Sequence, residues 1–226
     1  MKTDLLISNS KEPNSMKIGI SRLHFPVTTL GFGKRIGIWL QGCSIHCEGC
    51  ISVDTWQFGI NSISLEEVTE LLKQWLPKSD GITISGGEPF DQEEALFELL
   101  QFLRSYQKSV LVYSGYSFQQ LRTKKEVRSG WIDVLISEPY DHKQPQTKAL
   151  LGSDNQQMHL LTDLGKHDFE SYLEKSLEKK LDIHFERDTV WMTGIPYNGM
   201  TDIAENAKEN NVDLQHTQGV LKHLKS

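Results

Sequence analysis

Apolar positions along the chain fall into two alternating rhythms. Short runs of the buried-strand kind occur at Arg35-Ile36-Gly37-Ile38-Trp39-Leu40-Gln41, Gly81-Ile82-Thr83-Ile84-Ser85, Ser109-Val110-Leu111-Val112-Tyr113 and Ile132-Asp133-Val134-Leu135-Ile136. Between them lie stretches with the period of a helix that buries one face. Leu65, Val68, Leu71, Leu72 and Trp75 mark one such face, opened by a Ser64/Glu67 capping box and stopped by Pro77. Ala95, Leu96, Leu99, Leu100 and Leu103 mark the next, which Asp91 with Glu94 is expected to open. Ser117 caps a short helix after the third run. Met158-His159-Leu160-Leu161 predicts a fifth strand, and Phe169, Tyr172, Leu173 and Leu177 predict a helix within 167–180. Ile183-His184-Phe185-Glu186 and Thr189-Val190-Trp191-Met192-Thr193 flank a turn at Arg187-Asp188 and predict a hairpin. Ile203, Ala204 and Ala207 suggest a last amphipathic helix before a charged tail. At the other end, Lys17 to Arg22 reads as an edge strand after a polar, unpatterned lead-in.

Strands alternating with helices imply an α/β fold with a parallel sheet. Five or six units are too few for a closed eight-stranded barrel, so the expected architecture is a partial (β/α) barrel, followed by a C-terminal hairpin and helix. The expected organisation is a loose lead-in at 1–16, a core at 17–163 and a C-terminal extension at 164–226 packed on that core. In such folds the chemistry collects at the C-terminal ends of the strands. The loop beginning at Gly42, the Gly86-Gly87-Glu88-Pro89 turn and Tyr113-Ser114-Gly115-Tyr116 all fall just past strand ends, in agreement with one shared site.

Composition narrows the classes. At 226 residues the chain suits one domain with a proper core. Lys+Arg 24 against Asp+Glu 30 leaves a formal charge of -6, without a block of like charge, which argues against a nucleic-acid partner. No apolar run is long enough to span a bilayer and no leader pattern opens the chain, so a cytoplasmic protein without membrane attachment is expected. All three cysteines sit within Cys43 to Cys50, an odd set that forms no disulfide framework. Reactive or metal-bound thiols in a reducing compartment follow.

The loop Gln41-Gly42-Cys43-Ser44-Ile45-His46-Cys47-Glu48-Gly49-Cys50 spaces those thiols as C-x3-C-x2-C. Thiolates are preferred ligands of iron–sulfur clusters and of zinc. Three can hold three irons of a cubane and leave the fourth open to a substrate. Structural zinc wants four protein ligands, and no fourth cysteine exists. His46 adjoins Cys47, where both side chains seldom reach one ion, although a distant histidine remains open as a fourth ligand. Inert buried thiols are the bland alternative, and a Gly-flanked loop with His46 and Glu48 is unlike a core.

At these residues the chain resembles the radical S-adenosylmethionine superfamily, and within it the activating proteins of anaerobic ribonucleotide reductase and of pyruvate formate-lyase. The resemblance rests on Gly37 to Cys43, Cys47-Glu48-Gly49-Cys50, Asp54-Thr55-Trp56, Thr83 to Pro89, Tyr113 to Tyr116, Asp133 to Ile136 and Gly152-Ser153-Asp154-Asn155-Gln156, in the family's order. It implies a 4Fe-4S cluster on Cys43, Cys47 and Cys50 whose open iron chelates S-adenosyl-L-methionine. It also implies that Gly86, Gly87 and Glu88 face the methionyl amino group, with Glu88 able to balance a cationic ligand. Ser114 and Ser137 stand at rim positions that could meet the ligand. Ser137 occupies a place where the activators usually carry an aspartate. Gly49 stands where many radical enzymes place an aromatic near the adenine, and the ribonucleotide-reductase activators share that glycine. Trp39 and Trp56 could shield the cluster, or merely belong to the core.

Three functions follow. The first is an activase that abstracts hydrogen from a glycine of a separate glycyl-radical enzyme, fed by an external donor such as flavodoxin or ferredoxin. The second is a radical enzyme acting on a small molecule, peptide or nucleotide, with residues beyond about 163 used for recognition. The third is a non-catalytic, zinc-stabilised binding module.

Overall fold

A computed structural model describes residues 15–178, 180–186 and 189–194. The bulk of the lead-in and the last amphipathic segment at Ile203, Ala204 and Ala207 lie outside the described residues. Nine strands are described: β1 (Lys17–Val27), β2 (Arg35–Leu40), β3 (Ser62–Ser64), β4 (Gly81–Gly86), β5 (Ser109–Tyr113), β6 (Val134–Ser137), β7 (Gln157–Leu160), β8 (Leu181–Glu186) and β9 (Thr189–Gly194). The helices are α1 (Leu65–Trp75), α2 (Glu93–Arg104), α3 (Phe118–Leu121), α4 (Lys125–Arg128) and α5 (Asp163–Phe169).

Among the described residues, seven strands form one sheet in the order β3-β1-β2-β4-β5-β6-β7. The run β2-β4-β5-β6 is parallel, as the strand–helix rhythm predicts. The edges depart from that prediction. β1 runs antiparallel to β2, β3 antiparallel to β1, and β7 antiparallel to β6. The sheet is therefore mixed. The reason at β7 is the connection: the polar loop from Glu138 to Gln156 carries no long crossover helix, and a parallel return needs one.

Periodicity assigns the faces. Ile36, Ile38, Ile82, Ile84, Val110, Val112 and Leu135 point to one side and pack with Val68 and Leu72 of α1, Leu96, Leu99 and Leu103 of α2, and Leu121 of α3. The helices of all three parallel crossovers contribute to this one face. The opposite face carries Leu111, Val134 and Ile136, covered by Leu151 and by Phe169 of α5.

The α1 capping box forms as expected, with Ser64 and Glu67 bonded reciprocally. Two helical expectations need correction. Asp91 does not cap α2; a 3-10 turn at Pro89–Gln92 intervenes and Gln92 holds the N-cap position without a side-chain bond. The helix expected within 167–180 begins earlier, at Asp163, capped by Thr162, and ends at Phe169 before a single 3-10 turn. Gly165 lets it lie against the sheet, since a Cβ there would stand 2.2 Å from the Asp133 carbonyl oxygen.

The N-terminal ends of the parallel strands are closed by Arg35, which is fully buried. Its guanidinium donates to Thr83 Oγ1 (2.7 Å), Ser109 Oγ (3.1 Å) and the carbonyls of Ile82 (2.6 Å), Ser109 (2.8 Å) and Phe32 (3.3 Å). It also stacks 5.1 Å from the Phe169 ring. Burial pushes its pKa down to about 10, opposed by the charge of Asp168.

The predicted hairpin is present as β8 and β9. Asp182 ties it to the turn after β1, accepting from the N–H groups of Thr28 (2.6 Å) and Thr29 (3.0 Å) and from both threonine hydroxyls.

Candidate functional site

The cysteine loop leaves the C-terminal end of β2 and is held by its own backbone. Gly42 N–H donates to the Thr55 carbonyl (2.7 Å), Cys43 N–H to Trp56 (3.1 Å) and Cys50 N–H to Cys47 (3.2 Å). Positive φ angles at His46 (52°) and Gly49 (76°) turn the chain between the cysteines. The His46 ring stacks on Trp56 with centroids 4.6 Å apart. Gln41 closes the base, donating from Nε2 to the carbonyls of Asp54 (3.2 Å) and Gln57 (2.9 Å). Trp39, buried beneath, folds its ring over Gly37.

All three thiols are free: Cys43 is buried, while Cys47 and Cys50 are half-buried. Burial pushes the Cys43 and Cys47 thiols up, and at Cys47 a backbone hydrogen bond from Tyr140 works in the opposite direction. Cys50 Sγ accepts from Ser52 N–H at 3.3 Å. Iron or zinc takes the thiolate, so loading must release these protons.

The Gly-Gly-Glu-Pro loop meets this one across the strand ends. Gly87 N–H donates to the Leu40 carbonyl and Glu88 N–H to the Gly42 carbonyl, both at 2.8 Å. A Cβ on Gly87 would lie 2.0 Å from the Gly42 oxygen. Gly86 adopts φ 101°, and a Cβ there would lie 2.5 Å from Leu40 N. The two glycines thus let the loop press against the cysteine loop.

Glu88 joins the third strand end to these two. Its side chain is 1% exposed. Oε1 accepts from Phe90 N–H (3.0 Å) and Ser114 Oγ (2.8 Å), and Oε2 accepts from Gly115 N–H (2.8 Å). Burial raises its pKa to about 7 against those donors. Ser114 is itself buried and spends its hydroxyl on Glu88. Ser137 is fully buried on the Leu135 side of the sheet, 2.9 Å from His159 Nε2. His159 in turn stacks on Phe118 of α3, centroids 3.9 Å apart.

Several residues of this junction carry no sequence signal of their own. Asp91 accepts from Ser44 N–H (2.7 Å), from the Ser44 hydroxyl (3.0 Å) and from the Tyr116 hydroxyl (2.7 Å), pinning the cysteine loop to the β5 loop. Gln92 clasps both Gly19 backbone groups and the Gln41 carbonyl. Each contact spans tens of residues, and Asp91 reads locally as a helix cap.

The chemistry of the donor set suits an iron–sulfur cluster: three free thiols lie on one loop shaped by its own backbone hydrogen bonds, and a cluster takes each thiolate on a separate iron.

A three-thiol loop at the C-terminal ends of parallel strands, bonded to a Gly-Gly-Glu-Pro turn, defines the class: an α/β iron–sulfur protein of the radical S-adenosylmethionine type. The chain belongs to the 4Fe-4S single cluster domain family, whose model matches residues 29–159. It is similar to the anaerobic ribonucleoside-triphosphate reductase-activating protein of Enterobacteria phage T4, 29% identical over 145 residues, covering 61% of this chain and 92% of that protein. The protein of the same name from Haemophilus influenzae is 27% identical over 146 residues, covering 60% and 94%. A pyruvate formate-lyase-activating enzyme from Listeria monocytogenes is 30% identical over 83 residues, 34% of each chain. Among solved structures, QueE from Escherichia coli overlaps 45% of this chain and 53% of its own at 19% identity and a TM-score of 0.39. The expected relationship to the activating proteins is thereby borne out, and with it the cofactors, a 4Fe-4S cluster and S-adenosylmethionine.

Proposed function

We propose that this chain is a radical S-adenosylmethionine activase that cleaves its cofactor reductively and abstracts hydrogen from a glycine of a separate glycyl-radical enzyme. The observation that carries the reading is the junction of the three-thiol loop with the Gly-Gly-Glu-Pro turn, Glu88 N–H to the Gly42 carbonyl at 2.8 Å. The open sheet, with its parallel crossovers on one side, is read as a partial barrel.

Cys43, Cys47 and Cys50 would hold the cluster, beside which S-adenosylmethionine would be bound. When bound, the reduced cluster would supply the single electron for reductive cleavage of S-adenosylmethionine. Gly86 and Gly87 present the strand-end backbone to the methionyl amino group. Glu88 sets a negative charge beneath that edge, opposite the sulfonium charge of the ligand. Ser114 serves by holding Glu88, and Gly49 leaves open the space where a larger side chain would meet His142. Ser137, with its hydroxyl on His159, has no part in this set. The chain has three cysteines, all used here, so the electron comes from an external flavodoxin or ferredoxin-type donor. A reducing, cytoplasmic setting suits both the thiols and that donor.

A second reading, direct action on a small molecule, peptide or nucleotide, draws on the hairpin that Asp182 fastens beyond the matched region. The two readings part in one anaerobic experiment. The reduced, cluster-loaded chain is mixed with S-adenosylmethionine and a glycyl-radical-type protein encoded beside it, and the partner is examined by electron paramagnetic resonance. A glycyl doublet on the partner is expected. Cofactor cleavage with no radical on the partner, and multiple turnovers on a small substrate, would replace the first reading with the second.

A further inference from the structure

The segment Glu138 to Lys143 crosses the mouth of the cysteine loop. The Tyr140 backbone comes close enough to Cys47 to influence its thiol, and a Cβ on Gly49 would meet His142 Cβ at 3.0 Å and Tyr140 Cε1 at 3.6 Å. Glu48 stands 3.9 Å from His142 Nε2 and 4.0 Å from Lys143 Nζ. This strap has no regular secondary structure of its own, and it begins at Glu138 with a left-handed φ of 80°.

Its position comes from one neighbouring turn. Asn155 Nδ2 donates to the Pro139 carbonyl (2.8 Å), Gln156 Nε2 donates to the Glu138 carbonyl (3.0 Å), and Ser153 Oγ accepts from Asp141 N–H (3.1 Å). Ser153 is fully buried, and the Tyr140 ring packs over Gly152, whose Cβ would stand 3.3 Å from Cδ2. Asn155 Oδ1 is buried without a partner, so this amide is held in place for its donor alone. A buried acceptor left unpaired is costly, and such sites in a native structure call for a reason. Asp154, between these residues, faces away and accepts from Thr147 N–H and Oγ1.

We infer that Ser153, Asn155 and Gln156 are positioning residues for the cluster: they clamp the 138–143 strap over Cys47 and Gly49, shielding the cluster edge and holding the strap backbone beside one of its sulfur ligands. Hydrogen bonds to the sulfurs and solvent exposure set both the potential and the lability of such clusters. The inference rests on the cluster reading above and extends it to residues that touch neither metal nor ligand.

The test compares Asn155→Ala and Gln156→Ala with Asp154→Ala, which perturbs the same turn without touching the strap. In the metal-free chain, amide hydrogen exchange is read across residues 140–143. In the reconstituted chain, the rate of absorbance loss to an iron chelator and the cluster midpoint potential are read. Asn155→Ala and Gln156→Ala are expected to raise exchange in the strap and to speed iron loss about tenfold with a shifted potential, while Asp154→Ala stays near the parent on all three. Parent-like behaviour of all variants, or equal damage from Asp154→Ala, overturns the inference while leaving the cluster reading intact. A parent chain that takes up no cluster at all overturns both, and the metal-free exchange data then show whether the clamp exists without its purpose.

Discussion

At Glu88, burial and hydrogen bonding pull in opposite directions. Three donors favour the carboxylate, yet desolvation prevails and the pKa rises to about 7. An acid that keeps its proton longer in the folded state than in the unfolded one makes the fold most stable below the unfolded value. That stability falls as pH rises through about 7, on the order of 3 kcal/mol in all. Urea titrations at about pH 5 and about pH 8 should show this fall, and Glu88→Gln should flatten it. A cationic ligand favours the charged form, so S-adenosylmethionine should bind more tightly at about pH 8 than at about pH 6 in the parent but not in Glu88→Gln. Arg35 gives the opposite lesson. Its five hydrogen bonds knit three strands, so Arg35→Ala should cost about 3 kcal/mol or more in chemical denaturation, by leaving buried acceptors unpaired. The cysteines and Glu88 were legible because their spacing is itself chemical information. Asp91 was not. Its partners, Ser44 and Tyr116, are brought to it by the fold, and no local pattern announces them.

At the scale of elements, the site depends on two loops approaching more closely than side chains allow. Gly87→Ala puts a methyl 2.0 Å from the Gly42 carbonyl oxygen, so the Gly-Gly-Glu-Pro turn must move off the cysteine loop. The expected result is a loss of about 2–3 kcal/mol in stability together with weaker S-adenosylmethionine binding, checked by denaturation and by calorimetric titration of the loaded protein. Unchanged binding with lowered stability would make the junction merely structural. α1 is legible in the sequence, because its cap and apolar stripe agree. The start of α2 is not, because Asp91 has the composition of a cap and the partners of a tether. Nor is the antiparallel sense of β7, because strand periodicity carries no direction and only the connecting loop decides it.

For the whole molecule, strand order follows chain order from β4 to β7, and the parallel crossovers place their helices on one side of the sheet. The other side carries Leu111, Val134 and Ile136 under Leu151 and Phe169, with Arg35 stacked on Phe169 at the N-terminal strand ends. Among the described residues, no helix is long and apolar enough to cross a membrane. The alternation of runs and stripes was enough to predict this class of sheet. It was not enough to predict that β3 pairs outside β1, which is therefore not the edge, that β1, β3 and β7 run antiparallel to their neighbours, or that Asp182 anchors the hairpin.

The central claim is that the three thiols hold a cluster that cleaves S-adenosylmethionine. The direct measurement is anaerobic: reconstitute the chain with iron and sulfide, reduce it with dithionite, add S-adenosylmethionine and quantify 5′-deoxyadenosine by chromatography. The control replaces Cys43, Cys47 and Cys50 with alanine. A brown protein that forms 5′-deoxyadenosine, beside a control that forms none, is the predicted result. A colourless, zinc-loaded protein that leaves S-adenosylmethionine intact would contradict it.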